Sequence, residues 1–167
     1  VLRKTLASPT APQALKSYDL VWLLHLVGDL HQPLHAGRPQ DRGGNEIYVS
    51  FFGEGGGAGR RMELHSLWDS GILRRAHLRW PASADELIAG ISTVDVSAWS
   101  NSDVVGWTNE SYRLDEEFVY SVRAGGDVAN AYYSRALPIA RRRIQQGGIR
   151  LAHLLNEAAR GRFNITL

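Results

Sequence analysis

A histidine followed four residues later by an aspartate occurs twice in this chain, as His25 with Asp29 and as His65 with Asp69. Residues four apart on an α-helix share a face one turn apart, so each pair can aim an imidazole nitrogen and a carboxylate oxygen at one point. That is half of a metal site. The first pair lies in HLVGDLHQPLH, residues 25 to 35, which holds three of the six histidines. His35 follows Pro33, where a helix should break, and a loop histidine there can turn toward an ion that helices alone would not enclose. Both pairs sit among apolar residues, Trp22-Leu23-Leu24 before His25 and Leu64, Leu67 and Trp68 around the second. A buried carboxylate needs a compensating cation, and no lysine or arginine lies within helical reach of Asp29, so a metal is the expected compensator. Imidazole plus carboxylate, without thiolate and with few oxygens, favours zinc over calcium. The remaining histidines read as structural or surface residues: His31 faces another side of the first helix, His77 lies among Arg74, Arg75 and Arg79, and His153 sits on the terminal amphipathic helix.

The elements that must carry these residues are mostly helical. Apolar residues on most sides between Ala14 and Gln32 predict a helix buried on more than one face, ended or kinked by Pro33. The ASPTAPQ before it reads as a loop. IYVSFF, between Gly43-Gly44-Asn45 and a glycine-rich tip, predicts a short strand or hairpin; the tip lacks the lysine spacing of a phosphate loop. MELHSLWDSGILRRAHL returns to helical spacing. Ser83 or Asp85 is the expected cap of the helix ELIAGIS, a less regular helical stretch runs from Val96 to Tyr120, and a long amphipathic helix follows with Pro138 as a kink and Gly147-Gly148 as a weak point.

At 167 residues the chain has the length of one domain, expected to span 1–167. Nineteen basic and 17 acidic residues leave a formal charge of +2, too little to mark a polyanion-binding protein by charge alone. There is no cysteine, which excludes disulfides and leaves histidine and carboxylate as metal donors. No apolar run approaches the length of a membrane span, so no membrane partner is expected.

The segments LLHLVGDLHQPLH, RGGNEIYVSFFG, LHSLWDSGIL, WTNES and GIRLAHLLN, in that order, closely resemble the zinc-dependent single-strand nucleases and 3'-nucleotidases, the family of mung bean nuclease and its fungal and bacterial relatives. The likeness runs from about Ala14 to Asn156. It implies a mainly α, multi-helix fold of the type shared with zinc-dependent phospholipase C, carrying one small β-hairpin and a trinuclear zinc cluster in a cleft. Motif by motif, it implies that His35, His65 and Asp69 form one zinc site, that His25 binds a second zinc, and that Asp29 bridges the second and third and serves catalysis. Asn45 would lie where the cleft holds a nucleobase, with Glu46 beside it. The implied activity is hydrolysis of RNA and single-stranded DNA to 5'-phosphate products, with release of phosphate from 3'-nucleotides. Clustered zinc would supply hydroxide at neutral pH and neutralise the phosphoryl oxygens. The partner is then a single-stranded nucleic acid or nucleotide, and the location secreted or periplasmic; the lack of cysteine resembles bacterial members.

The resemblance begins well inside the family chain. The N-terminal tryptophan and the early histidines and aspartates that complete the cluster in the family have no counterpart, so about one zinc is expected to be fully ligated here, with weak hydrolysis unless another chain supplies the front segment. The alternatives are a non-catalytic zinc-binding remnant of the family and a zinc-dependent phospholipase C, whose corresponding pair resembles H-x-x-x-E rather than the H-x-x-x-D at Asp69.

Overall fold

A computed structural model describes residues 1–53, 62–79 and 81–161. The glycine-rich tip lies outside the described residues. The chain opens with α1 (Leu2–Ala7) and α2 (Gln13–Asp29), followed by 3-10 turns at Pro33–Ala36 and Pro39–Asp41. Strands β1 (Tyr48–Phe51) and β2 (Met62–Glu63) lead into α3 (Leu64–Ser66), a π-helical turn at Leu67–Gly71 and α4 (Ile72–Arg75). After α5 (Ala82–Ala89), α6 (Thr93–Trp99) and α7 (Val104–Leu114) comes a second π-helical turn, Asp115–Val119. A short β3 (Asp127–Val128) precedes α8 (Asn130–Ala159), which runs unbroken through Pro138.

The mainly α fold expected from the sequence is what forms, with four differences. An additional helix, α1, precedes the segment read as a loop and enters it only with the helix's last residue, Ala7. The hairpin gains a third strand: β1 pairs antiparallel with β2 (Tyr48 opposite Glu63) and parallel with β3 (Ser50 opposite Asp127), in the order β2-β1-β3. A two-residue strand this far from its partner leaves no periodic signal in the sequence. The stretch from Val96 to Tyr120 divides at Ser100–Asp103, where Asp103 caps α7 by accepting from Gly106 N at 2.9 Å. Finally, neither Ser83 nor Asp85 caps α5, whose N-cap is Pro81; the Ser83 hydroxyl instead accepts from Arg79 N at 2.9 Å.

Two apolar clusters hold these elements. Leu34, Val49, Phe51, Leu64, Leu67, Trp68, Ile72, Phe118, Val119 and Tyr132 form the larger, each large side chain contributing about 1.5 to 3 kcal/mol of burial. The Trp68 indole donates to the Tyr132 hydroxyl at 2.9 Å, which donates in turn to Val119 O at 2.9 Å, so the aromatic core carries no orphaned polar group there. The smaller cluster joins Leu23 and Val27 of α2 to Trp107 and Leu154, with Leu2 and Leu6 packed against it. Only this stripe of α2 is buried. Leu15, Tyr18, Val21, Trp22, Leu24 and Leu26 are exposed, contrary to the expectation of burial on more than one face: α1 and α8 pack along one side of the helix, and among the described residues nothing covers the other.

Candidate metal centre

Three segments far apart in sequence meet at His35, His65 and Asp69. Gln32 caps the turn Pro33–Ala36 by accepting from Leu34 N at 2.6 Å, and Pro33 at its first position presets the backbone for the turn. The turn therefore follows α2 after three intervening residues and projects His35. His65 and Asp69 arrive on the chain leaving β2, which is tied to the Gly43–Ile47 loop by Leu64 N donating to Ile47 O (2.7 Å) and His65 N to Gly44 O (3.3 Å).

Each of these residues follows a buried one in the chain. Leu34, Leu64 and Trp68 are 1%, 0% and 3% exposed, so the backbone beneath each candidate ligand is anchored in the core while the polar group faces outward. Gly43 completes the support. Its φ of 65° is a left-handed conformation, a Cβ there would collide with Leu34 O, and its carbonyl accepts from His65 Nδ1 at 2.8 Å. That bond places the proton on Nδ1 and leaves Nε2 with its lone pair available.

One donor atom from each of His35, His65 and Asp69 lies within 4.8 Å of the other two. His65 Nε2 stands 3.5 Å from Asp69 Oδ2 and His35 Nε2 3.6 Å from Asp69 Oδ1, and the two imidazoles stack with centroids 5.0 Å apart. The spacing suits a common ion: ligands about 2.0 to 2.1 Å from one metal stand roughly 3.3 Å from each other in tetrahedral geometry. Two imidazoles and a carboxylate are also the donor number and type of a three-ligand zinc site with an open position.

His25 and Asp29 behave differently. His25 Nε2 lies 3.1 Å from Asp29 Oδ2, as the four-residue spacing requires, and Asp29 Oδ1 reaches His35 Nδ1 at 3.5 Å. Asp29 is thus adjacent to the three-residue group through His35, but among the described residues His25 and Asp29 are not part of a group whose donor atoms all lie within 4.8 Å of one another. Both aspartates are partly solvated, Asp29 at 33% and Asp69 at 44% side-chain exposure. These carboxylates therefore do not need a cation to offset burial, contrary to expectation; convergence of donors is what points to a metal. Asn45 is half-buried, with its amide donating to Arg42 O at 2.7 Å, and Glu46 is exposed. Neither is within the three-residue group.

His31 faces into the protein, as its structural reading expected, although it lies just past the end of α2 rather than on a side of that helix. Its Nδ1 donates to Val27 O at 2.7 Å and its Nε2 accepts from Arg150 at 2.8 Å. Burial, assisted by the charges of Arg143 and Arg150 against the Val27 hydrogen bond, lowers its pKa to about 4, so it is neutral at physiological pH. Around it Glu110 accepts from Arg143 at 2.6 Å and from Arg150 at 2.7 Å on each oxygen, and Arg143 also donates to Leu30 O, Trp107 O and the Ser111 hydroxyl. Burial raises the Glu110 carboxyl, but the hydrogen bonds and charges of the two arginines outweigh it and hold the group below the ordinary carboxylate range. This network went unread in the sequence. WTNES and GIRLAHLLN both contain members of it, yet a charged residue on an amphipathic helix carries no mark of being buried.

The family model of the S1/P1 nucleases matches residues 2–160. Endonuclease 3 of Arabidopsis thaliana is 33% identical over 82% of this chain and 50% of its own length, Endonuclease 2 of the same plant 31% identical over 90% and 56%. Nuclease S1 of Aspergillus oryzae is 29% identical over 90% of this chain and 57% of its own length. The chain spans about half the length of the curated relatives it matches. With His35, His65 and Asp69 gathered on core-anchored turns, and with a family match over almost every residue described, the chain belongs to the S1/P1 nuclease family.

Proposed function

We propose that this chain carries part of the catalytic centre of a zinc-dependent nuclease that hydrolyses RNA and single-stranded DNA to 5'-phosphate products and also acts as a 3'-nucleotidase. The observation that carries the reading is the gathering of His35, His65 and Asp69 donors within 4.8 Å. The S1/P1 family match supports a nucleic-acid substrate over a phospholipid one. Among the described residues no helix is long and apolar enough to cross a membrane, and a secreted or periplasmic location fits the family resemblance.

His35, His65 and Asp69 would hold one zinc, and His25 with Asp29 would serve the neighbouring zinc positions. Bound zinc supplies a Lewis acid and lowers the pKa of coordinated water from 15.7 to about 7. The protein's own part is positional. Gly43 O fixes the His65 tautomer so that Nε2 can donate its lone pair, and the Leu34, Leu64 and Trp68 anchors keep the three donors from spreading. Asp29, which lies between His25 and His35, would serve the neighbouring zinc positions and act as the catalytic carboxylate. Asn45 and Glu46, on the loop beside His65, would contact the substrate base. Single strands suit such a site because an unstacked base offers its face and edges.

A second reading is a non-catalytic zinc protein of the same ancestry, favoured by the mutually close donor group among the described residues being His35, His65 and Asp69 without His25 or Asp29. One experiment separates the two. The 167-residue chain is stripped with a chelator, its zinc content is followed on readdition, and cleavage of a single-stranded oligonucleotide is measured at each step. Cleavage that disappears with the metal and returns with zinc supports the nuclease; one tightly held zinc without cleavage supports the remnant; no zinc uptake overturns both.

A further inference from the structure

Gln32 touches both halves of the metal centre. Its Oε1 accepts from Leu34 N at 2.6 Å, and its Nε2 donates to Asp69 Oδ1, 37 positions further along the chain, at 2.7 Å. The first bond determines the orientation of the amide, because only the oxygen can face a backbone N–H; the NH2 is then turned to Asp69. The same residue therefore caps the turn that projects His35 and grips the carboxylate opposite it.

Asp69 needs such a grip more than the histidines do. His65 is fixed by Gly43 O and by stacking on His35, whereas Asp69 is 44% exposed on a π-helical turn and its carboxylate is otherwise approached, among the described residues, by the two imidazoles at 3.5 and 3.6 Å. Those distances are too long for good hydrogen bonds. A free carboxylate must surrender rotational freedom when it binds an ion, and a donor that fixes it beforehand removes that cost from the binding step. The donor must also not compete with the ion. An arginine or lysine would neutralise Asp69, while a neutral amide orients it and leaves its charge for the metal. Glutamate at this position could cap the turn but could not donate.

We infer that Gln32 is a positioning residue for metal capture, acting through Asp69: it presets the carboxylate so that Oδ2 faces His65 Nε2 when the ion arrives. The inference rests on the zinc reading of His35, His65 and Asp69.

The test is zinc affinity of the full chain, measured by competition with a chelating dye, in a cycle of Gln32→Ala, Asp69→Ala and the double variant. Visible absorption of the cobalt-loaded chain and thermal unfolding of the metal-free chain are recorded for each. Loss of an outer hydrogen-bond partner commonly weakens metal binding 10- to 100-fold. Gln32→Ala is expected to lose about tenfold in the wild-type background and nothing further when Asp69 is already alanine. Equal loss in both backgrounds means that Gln32 acts only through the turn bearing His35, and overturns the inference, as does unchanged affinity. A wild-type chain that takes up no zinc overturns the zinc reading itself, a distinct result. Should metal-free Gln32→Ala unfold early, Gln32→Glu keeps the capping oxygen and removes the donor; a changed cobalt spectrum supports the inference and an unchanged one overturns it.

Discussion

His31 and His35 stand four residues apart and belong to two polar clusters of opposite design. Around His31, buried charges are matched: Glu110 receives three hydrogen bonds from Arg143 and Arg150, the imidazole uses both nitrogens, and backbone carbonyls take up further guanidinium donors. Around His35, two imidazoles and two aspartates approach only to 3.5 or 3.6 Å and stay partly open to solvent. The first cluster ties α2 to α7 and α8 and uses nearly all its donors and acceptors internally, Arg150 Nε being the exception. The second has donors facing one another with space for an ion between them. A polar cluster that satisfies itself is structure; one that leaves convergent lone pairs is a site.

The largest effect is expected from breaking the first cluster. Glu110→Ala would leave Arg143 and Arg150 buried, at 3% and 2% exposure, without their carboxylate, and should cost about 3 to 5 kcal/mol of stability in urea unfolding. Asp69→Ala, in the second cluster, should leave metal-free unfolding within about 0.5 kcal/mol of wild type while weakening zinc about a hundredfold. If Asp69→Ala unfolded the metal-free chain as Glu110→Ala does, the contrast between the clusters would collapse.

An acid buried outside both clusters tests the same contrast from another side. Asp115 is fully buried and neither carboxylate oxygen has a hydrogen-bond partner; burial, reinforced by the nearby Glu116 and Asp41 charges and opposed by Arg38, pushes its pKa from 3.8 up to about 7. Between these values the unfolded chain has released the proton that the folded chain retains, so this residue makes stability fall as pH rises from about 4 to about 7 and adds no further slope above. Asp115→Asn should remove that slope, an effect of about 3 kcal/mol between pH 5 and pH 8, read from urea unfolding at those two pH values. An unchanged slope in the variant would mean that Asp115 is ionised throughout. The smallest effect is expected at His25, 61% exposed between two exposed leucines: His25→Ala should change zinc affinity at His35, His65 and Asp69 less than about threefold, measured by the same titration.

Much of the centre was legible before any fold. The four-residue spacing of His25 with Asp29 and of His65 with Asp69 places each pair side by side, and Pro33 ends the helix between Asp29 and His35. Less was legible in the surroundings. The exposed face of α2 has the composition of a buried helix, and β3 is too short to announce itself. Gln32 drew no attention because an amide beside a proline looks like any helix end; its role is visible only once Asp69 stands 2.7 Å away.

What the sequence by itself determined is therefore local: which donors exist, which pairs share a helical face, and where the chain turns. These follow from backbone geometry repeating every few residues. Tertiary structure alone decided that His35 meets His65 and Asp69, that His31 is sealed under Arg150, and that both aspartates remain open to water. Those outcomes depend on how the 37–47 loop, the chain after β2 and α8 pack around the end of α2, through contacts between residues 22 to 119 positions apart. No local period encodes such distances; the buried anchors Leu34, Leu64 and Trp68 convert a pattern of single residues into one site.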